Sequence, residues 1–162
     1  MSETWVPPPA FYFGLVVGGS STSGGSGSAS TALDASFQQV RGIEMQITVE
    51  EVGEGGENRF FHRLPGRVRY PNLVLERGLV TTGSFLAAWC AETVGGNYVT
   101  PVEPRMLQLS LFGADGWPRV TWMIDNAYPV KWKLGPLNAR KNTFAVETLE
   151  LAYNAFWRAD WD

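Results

Sequence analysis

Ile43-Glu44-Met45-Gln46-Ile47-Thr48-Val49-Glu50 decides the fold, because apolar side chains hold every odd position and polar ones every even position. Successive side chains of an extended strand point to opposite faces, so the stretch predicts a half-buried strand. Ile43, Met45, Ile47 and Val49 would face the molecule's own core, and Glu44, Gln46, Thr48 and Glu50 would face water. On that phase, Ile47→Asp is expected to prevent folding and Thr48→Asp to be tolerated by the single chain. Glu51 to Asn58, with Gly53, Gly55 and Gly56, then turns the chain. Arg59 to Arg63 returns with Phe60, His62 and Leu64 on one face, completing a long hairpin with one charged side.

Working outward, Pro7, Pro8 and Pro9 hold an extended amino-terminal arm, and Phe11 to Val17 is a buried first strand. Pro65-Gly66 and Tyr70-Pro71 are breaks, and Leu73 to Arg77 is a short strand after them. Ser84 precedes Phe85, Leu86, Trp89 and Cys90, the spacing of an apolar helical stripe, and Gly95-Gly96 closes that helix. Leu107, Leu109 and Leu111 pair through the Asp115-Gly116 turn with Val120, Trp122 and Ile124. Asn126 and Pro129 set a turn, Tyr128 to Leu134 follows, and Trp132 packs in the core. In the last strand, Phe144 to Tyr153, the apolar phase switches after Val146, which predicts a bulge near Glu147. The expected fold is mainly β: two packed antiparallel sheets, a sandwich or half-barrel, with one short helix and long hairpins.

The 162 residues suit a single domain, 1–162, with an extended arm at 1–10 and a Gly/Ser-rich insertion at 18–31. The insertion is either a solvated connector or a loop that orders on a partner. A net charge of −3 argues against general binding of nucleic acid or a membrane surface. One cysteine, Cys90, excludes an intramolecular disulfide and multi-cysteine metal sites, and one histidine, His62, excludes paired-histidine sites. No stretch has the basic flank and apolar run of a secretion signal, and none is long enough to span a bilayer. The chain is expected to be made in the cytoplasm and to leave the cell only within a larger particle.

Catalytic signatures are missing. No Gly-x-Ser-x-Gly elbow, Walker loop or complete dinucleotide fingerprint occurs. Cys90 lies on the apolar stripe beside Trp89 as a core thiol, and His62 alternates with Phe60 and Leu64 as a sheet histidine. Glu50, Glu51, Glu54 and Glu57 are either solvated acids on a turn or an acid/base or calcium-gripping group. The two-faced hairpins leave strand edges that invite aggregation unless paired, and identical subunits closing into a ring would pair them.

Several ordered fragments carry a resemblance. They are Phe37-Gln38-Gln39-Val40-Arg41-Gly42-Ile43, Val49-Glu50-Glu51-Val52, Glu54-Gly55-Gly56-Glu57-Asn58, Leu64-Pro65-Gly66 and Leu75-Glu76-Arg77-Gly78. Phe85 to Trp89, Trp122 with Asn126 to Trp132, Leu137-Asn138-Ala139 and Glu147 to Leu151 continue the series. Together they resemble the tail tube family of contractile phages and extracellular contractile injection systems. The Asn58-Arg59-Phe60 and Trp89-Cys90 details resemble the tube-initiating, baseplate-proximal type most. The resemblance implies a homo-hexameric ring in an inner tube, with hairpins joined into one lumen barrel. It also implies adjacent tube rings, sheath and baseplate proteins as partners, and protein cargo or DNA passing without specific binding. It implies no catalysis, cofactor, metal or membrane insertion.

Under that resemblance Glu44, Gln46, Thr48 and Glu50 become candidates for lining the lumen, the alternative being a plain solvent face. Trp5, Glu54, Glu57, Trp157 and Trp161 become candidates for ring-to-ring or baseplate contacts. The main tube subunit is the neighbouring alternative. A small β-barrel that binds an apolar ligand, and an enzyme using the acidic hairpin, are the alternatives of other classes.

Overall fold

The computed structural model describes residues 12–20, 32–53, 55–56, 60–79, 83–96, 99, 101–136 and 145–159. The arm at 1–10 and residues 21–31 of the insertion lie outside them. Among the described residues the order is β1 (Tyr12–Ser20), β2 (Ala32–Phe37), β3 (Gln39–Arg41), β4 (Gln46–Val52), β5 (His62–Arg69) and β6 (Leu73–Gly78), then α1 (Phe85–Gly95), β7 (Arg105–Phe112), β8 (Pro118–Leu134), β9 (Val146–Ala152) and β10 (Ala155–Ala159). Residues 18–20 of the expected insertion complete β1.

The 17-residue β8 organises two antiparallel sheets. Its first half pairs with β7 on one side and β10 on the other, and β1 and β2 extend that sheet beyond β7. Its second half pairs with β9, followed by β6 and β3. Among the described residues the strands do not close into a barrel. The expected turn at Asn126 and Pro129 is instead continuous strand. Asn126 makes the corner at φ 50, a left-handed conformation that asparagine tolerates better than most side chains. Pro129 sits where β8 has β9 alone beside it, next to a register shift, so its missing N–H costs little.

The core lies between the sheets. Leu15 and Val17 of β1, Leu107 and Leu109 of β7, Ile124 of β8, Leu149 and Leu151 of β9, and Leu73 and Leu75 of β6 are all buried. Each fully buried leucine contributes about 2 kcal/mol of transfer free energy. α1 covers this core with Leu86, Trp89 and Cys90. Ser84 caps it as predicted, its hydroxyl accepting from Ala87 N–H at 3.1 Å.

No bulge occurs at Glu147, and β6–β9 pairing runs through it in unbroken register. Glu147 itself points inward with Leu149 and Leu151, because Arg77 on β6 meets it there at 2.8 Å. Trp132, expected in the core, is 39% exposed at the β8 edge and donates its indole N–H to Glu147 Oε1 at 2.7 Å.

Candidate functional site: the hairpin and the sheet edges

β4 and β5 form a separate two-stranded sheet. Its base is clamped. Gly42 has φ 89, and a Cβ there would lie 2.0 Å from the Asn72 carbonyl oxygen, so only glycine permits this approach. Tyr153 O–H donates to Gly42 O at 2.6 Å, and its ring packs with Tyr70 and Phe156. Burial pushes the Tyr153 hydroxyl above its ordinary pKa near 10.0.

Beyond the clamp the hairpin leaves the body. Ile43 packs against the core, but Met45, Ile47 and Val49 are 58, 52 and 48% exposed. Among the described residues these three side chains are not covered by the core as expected, since strand alternation sorts side chains onto faces without supplying anything to lie against. Pro65-Gly66, expected as a break, lies within β5 at a register shift opposite Thr48. Gly66 is needed there, because a Cβ would lie 2.5 Å from Thr48 Oγ1, which itself donates to Arg67 O at 3.1 Å. His62 pairs in register with Val52 and meets Phe60 edge to face at 5.3 Å.

Strand register sorts the two faces of the hairpin. Gln46, Thr48, Glu50 and Val52 share one with Arg69, Leu64 and His62, and Ile47, Val49 and Glu51 share the other with Val68, Pro65 and Arg63. Glu51 and Arg63 approach to 3.7 Å. Glu44, just before β4, is exposed. Glu54 and Glu57 lie outside the described residues, as do Trp5 and Trp161. Trp157 is on β10 opposite Met123 and is 46% exposed on the outer side of the first sheet.

Among the described residues two edges of the second sheet have no strand beside them: β3, and the end of β8 where Val130, Trp132 and Leu134 stay 38, 39 and 43% exposed. The outer face between them carries the ion pairs Arg41–Glu76 and Lys131–Glu150. Sequence patterning missed this face, because pairing partners 19 and 35 residues apart leave no local signal.

Register also gathers the start of β1, the β7–β8 turn and the end of β10 at one end of the first sheet, through Tyr12 opposite Phe112 and Ala159 opposite Thr121. Trp117, on that turn, is 71% exposed. Among the described residues no cluster of histidine, cysteine or carboxylate side chains is arranged to hold a metal, and no helix is long and apolar enough to cross a membrane.

The family model of the T4-like virus tail tube protein gp19 matches residues 9–157. Among solved structures, the chain is similar to one in the anti-feeding prophage baseplate, 6-fold symmetrised, at 26% identity and TM-score 0.73, over 98% of this chain and 97% of that one. The same fold recurs in the sheath–tube complex of an extracellular contractile injection system, PVC, in its extended state, at 21% identity and TM-score 0.72, over 96% of this chain and 93% of that one. It recurs in an Hcp protein at 12% identity and TM-score 0.55, over 93% of this chain and 99% of that one. No curated protein matches the chain in sequence. The baseplate and sheath–tube chains belong to assembled particles. The chain is a structural protein of the tube type found in contractile injection systems, and it belongs to the family of the T4-like virus tail tube protein gp19.

Proposed function

We propose that six copies of this chain close into a ring that forms a baseplate-proximal, tube-initiating layer of the inner tube of an injection particle. The observation that carries the reading is the β4–β5 hairpin, which stands off the body with Met45, Ile47 and Val49 exposed. An isolated two-stranded hairpin is marginal in water, so a neighbour that covers it restores the missing burial. The two edges of the second sheet differ from each other. Pairing the β8 edge of one copy with the β3 edge of the next is a head-to-tail contact, which closes if the rotation per copy divides a full turn. The six-fold symmetrised baseplate containing a similar chain supports six copies and that location.

In such a ring Glu44, Gln46, Thr48 and Glu50 line the lumen, beside the mixed-charge face of Arg41, Glu76, Lys131 and Glu150. The single domain then works with the 1–10 arm and residues 21–31 of the insertion as appendages that contact neighbours. Trp157 and Trp117, with Trp5, Trp161, Glu54 and Glu57, supply contacts to adjacent rings, sheath or baseplate, and cargo passes without specific binding. The particle as a whole carries the chain out of the cell.

Light scattering with negative-stain microscopy tests the ring. A mass six times 17.9 kDa with annular particles is expected, and a stable monomer at micromolar concentrations overturns the proposal. A label on the chain in whole particles tests its place. Label at one end supports the initiating layer, whereas label along the shaft identifies the main tube subunit, the second reading favoured by the sheath–tube similarity.

A further inference from the structure

We infer that the outer face of the first sheet is a docking surface for the amino-terminal arm of the same chain, with residues 5–9 crossing it from β1 towards β10. Register puts Val16, Gln108, Met123 and Trp157 in one row across β1, β7, β8 and β10. Neither this row nor the next, through Ser110 and Thr121, carries a charged side chain. The hydroxyls of Ser110 and Thr121 satisfy each other at 2.9 Å and are buried. An antiparallel sheet with one face on the core ordinarily turns polar side chains outward. This one instead leaves Tyr12, Met106 and Trp157 39, 37 and 46% exposed, the kind of apolar surface that marks a contact.

The arm has the matching chemistry. Trp5-Val6-Pro7-Pro8-Pro9 carries no charge, and its three prolines have no N–H to leave unpaired against an apolar face. Proline runs favour the polyproline II form, lose little conformational freedom on docking and are recognised by aromatic surfaces. The same lack of donors stops them from extending the β1 ladder.

Length and point of attachment identify the occupant. The arm leads into β1, whose first residue, Tyr12, stands on the rim of this face. The three strand-to-strand steps from β1 to β10 span about 14 Å, and five residues of polyproline II span about 15 Å. Trp5 then arrives beside Trp157, with residues 10 and 11 left for the reversal. Tethering at Tyr12 gives the arm an effective concentration of roughly millimolar, so a weak contact suffices. This inference does not depend on ring closure, and the docked arm keeps one side open to neighbouring proteins.

NMR of the full chain with methyl-labelled methionine tests it, because Met106 and Met123 lie on this face and Met45, at the foot of the hairpin, is the control. Trp5→Ser is expected to move the Met106 and Met123 signals, through the lost ring current, and to leave Met45 in place. Pro7→Gly with Pro8→Gly and Pro9→Gly is expected to move both signals most of the way to the same positions. These changes lie in the arm and leave the body intact. With Trp157→Ser already in place, Trp5→Ser is expected to move neither signal. Refolding the labelled chain with an excess of unlabelled Trp5→Ser chain is expected to leave its spectrum unchanged, which identifies the arm as its own. Met106 and Met123 signals indifferent to Trp5→Ser or to the glycine variant, an equal movement of Met45, a Trp5 effect that survives Trp157→Ser, or a shift in the mixed sample, which assigns the arm to a second copy, each overturns the assignment.

Discussion

Arg77 Nε and Glu147 Oε2 lie 2.8 Å apart with both side chains only 1% exposed, so the core of this β fold contains a complete ion pair. The charges are tolerated because the remaining polar atoms are used. Arg77 Nη2 donates to Ser84 Oγ at 2.5 Å, Trp132 Nε1 donates to Glu147 Oε1 at 2.7 Å, and the guanidinium lies 5.2 Å from the Phe37 ring centroid. Removing one partner strands a buried charge. Glu147→Ala is expected to cost about 3–5 kcal/mol in urea unfolding, and Arg77→Met with Glu147→Leu to recover most of that. A double variant no more stable than the single one would show that the pair is needed for more than charge balance.

Ser84 connects this pair to the helix. Its hydroxyl oxygen caps α1 at Ala87 N–H and also accepts from Arg77, so Ser84→Ala removes two interactions. A loss of about 2 kcal/mol is expected, at the upper end for a helix cap. In a double-mutant cycle with Arg77→Met the double variant is expected to lose less than the sum of the two single losses, because they share one contact. Strict additivity in equilibrium unfolding would separate the cap from the ion pair.

What the sequence displayed of this arrangement follows from distance along the chain. α1 was legible because Ser84, Leu86, Trp89 and Cys90 report within three turns, and the β7–β8 hairpin because Asp115-Gly116 marks its turn. Glu147 looked like a phase error because its reason, Arg77, lies 70 residues away. β10 escaped notice because Tyr153-Asn154 breaks β9 without glycine or proline. The two faces of Ile43 to Glu50 were legible as faces, but alternation contains no information about what covers them. Thus the candidate residues Gln46, Thr48 and Glu50 fall together on one side, while Ile47 and Val49 stay about half exposed on the other.

Gly42 and Gly83 separate backbone strain from collision. Both have positive φ, 89 and 79, but a Cβ at Gly83 meets none of the described residues within 4 Å, whereas one at Gly42 strikes Asn72 O. Gly83→Ala is expected to cost about 1 kcal/mol, from strain alone. Gly42→Ala is expected to cost at least twice that and to loosen the hairpin base, seen as faster amide exchange through β4 and β5. Equal costs would mean that Asn72 shifts freely.

The Tyr153 hydroxyl contributes a pH-dependent share of stability. Its folded pKa is raised above the ordinary value near 10.0, so the protonated form is favoured by folding. The contribution is whole below that value and is lost as pH rises from it through the folded pKa. Tyr153→Phe removes the bond to Gly42 O and is expected to cost about 1 kcal/mol at neutral pH. The gap between the two proteins should narrow above about pH 10, measured by urea unfolding across the alkaline range. A gap independent of pH would show that the hydroxyl does not titrate with folding.

The hairpin reverses the order of two substitutions that simple alternation predicts. Ile47 is 52% exposed and faces no part of its own core, so Ile47→Asp is expected to change single-chain stability by no more than about 0.5 kcal/mol. Thr48 is more enclosed, against Gly66, and its hydroxyl donates to Arg67 O. A carboxylate cannot donate there, and Thr48→Asp is expected to cost about 1 kcal/mol. On the proposed ring the order inverts again, because Ile47→Asp places a charge against the neighbouring copy and lowers the oligomer mass, while Thr48→Asp lies on the lumen side. Chemical unfolding of the dilute chain and light scattering of the concentrated one read these effects separately. A folded Ile47→Asp protein that still assembled into rings would show that this face of the hairpin is not the one a neighbour covers.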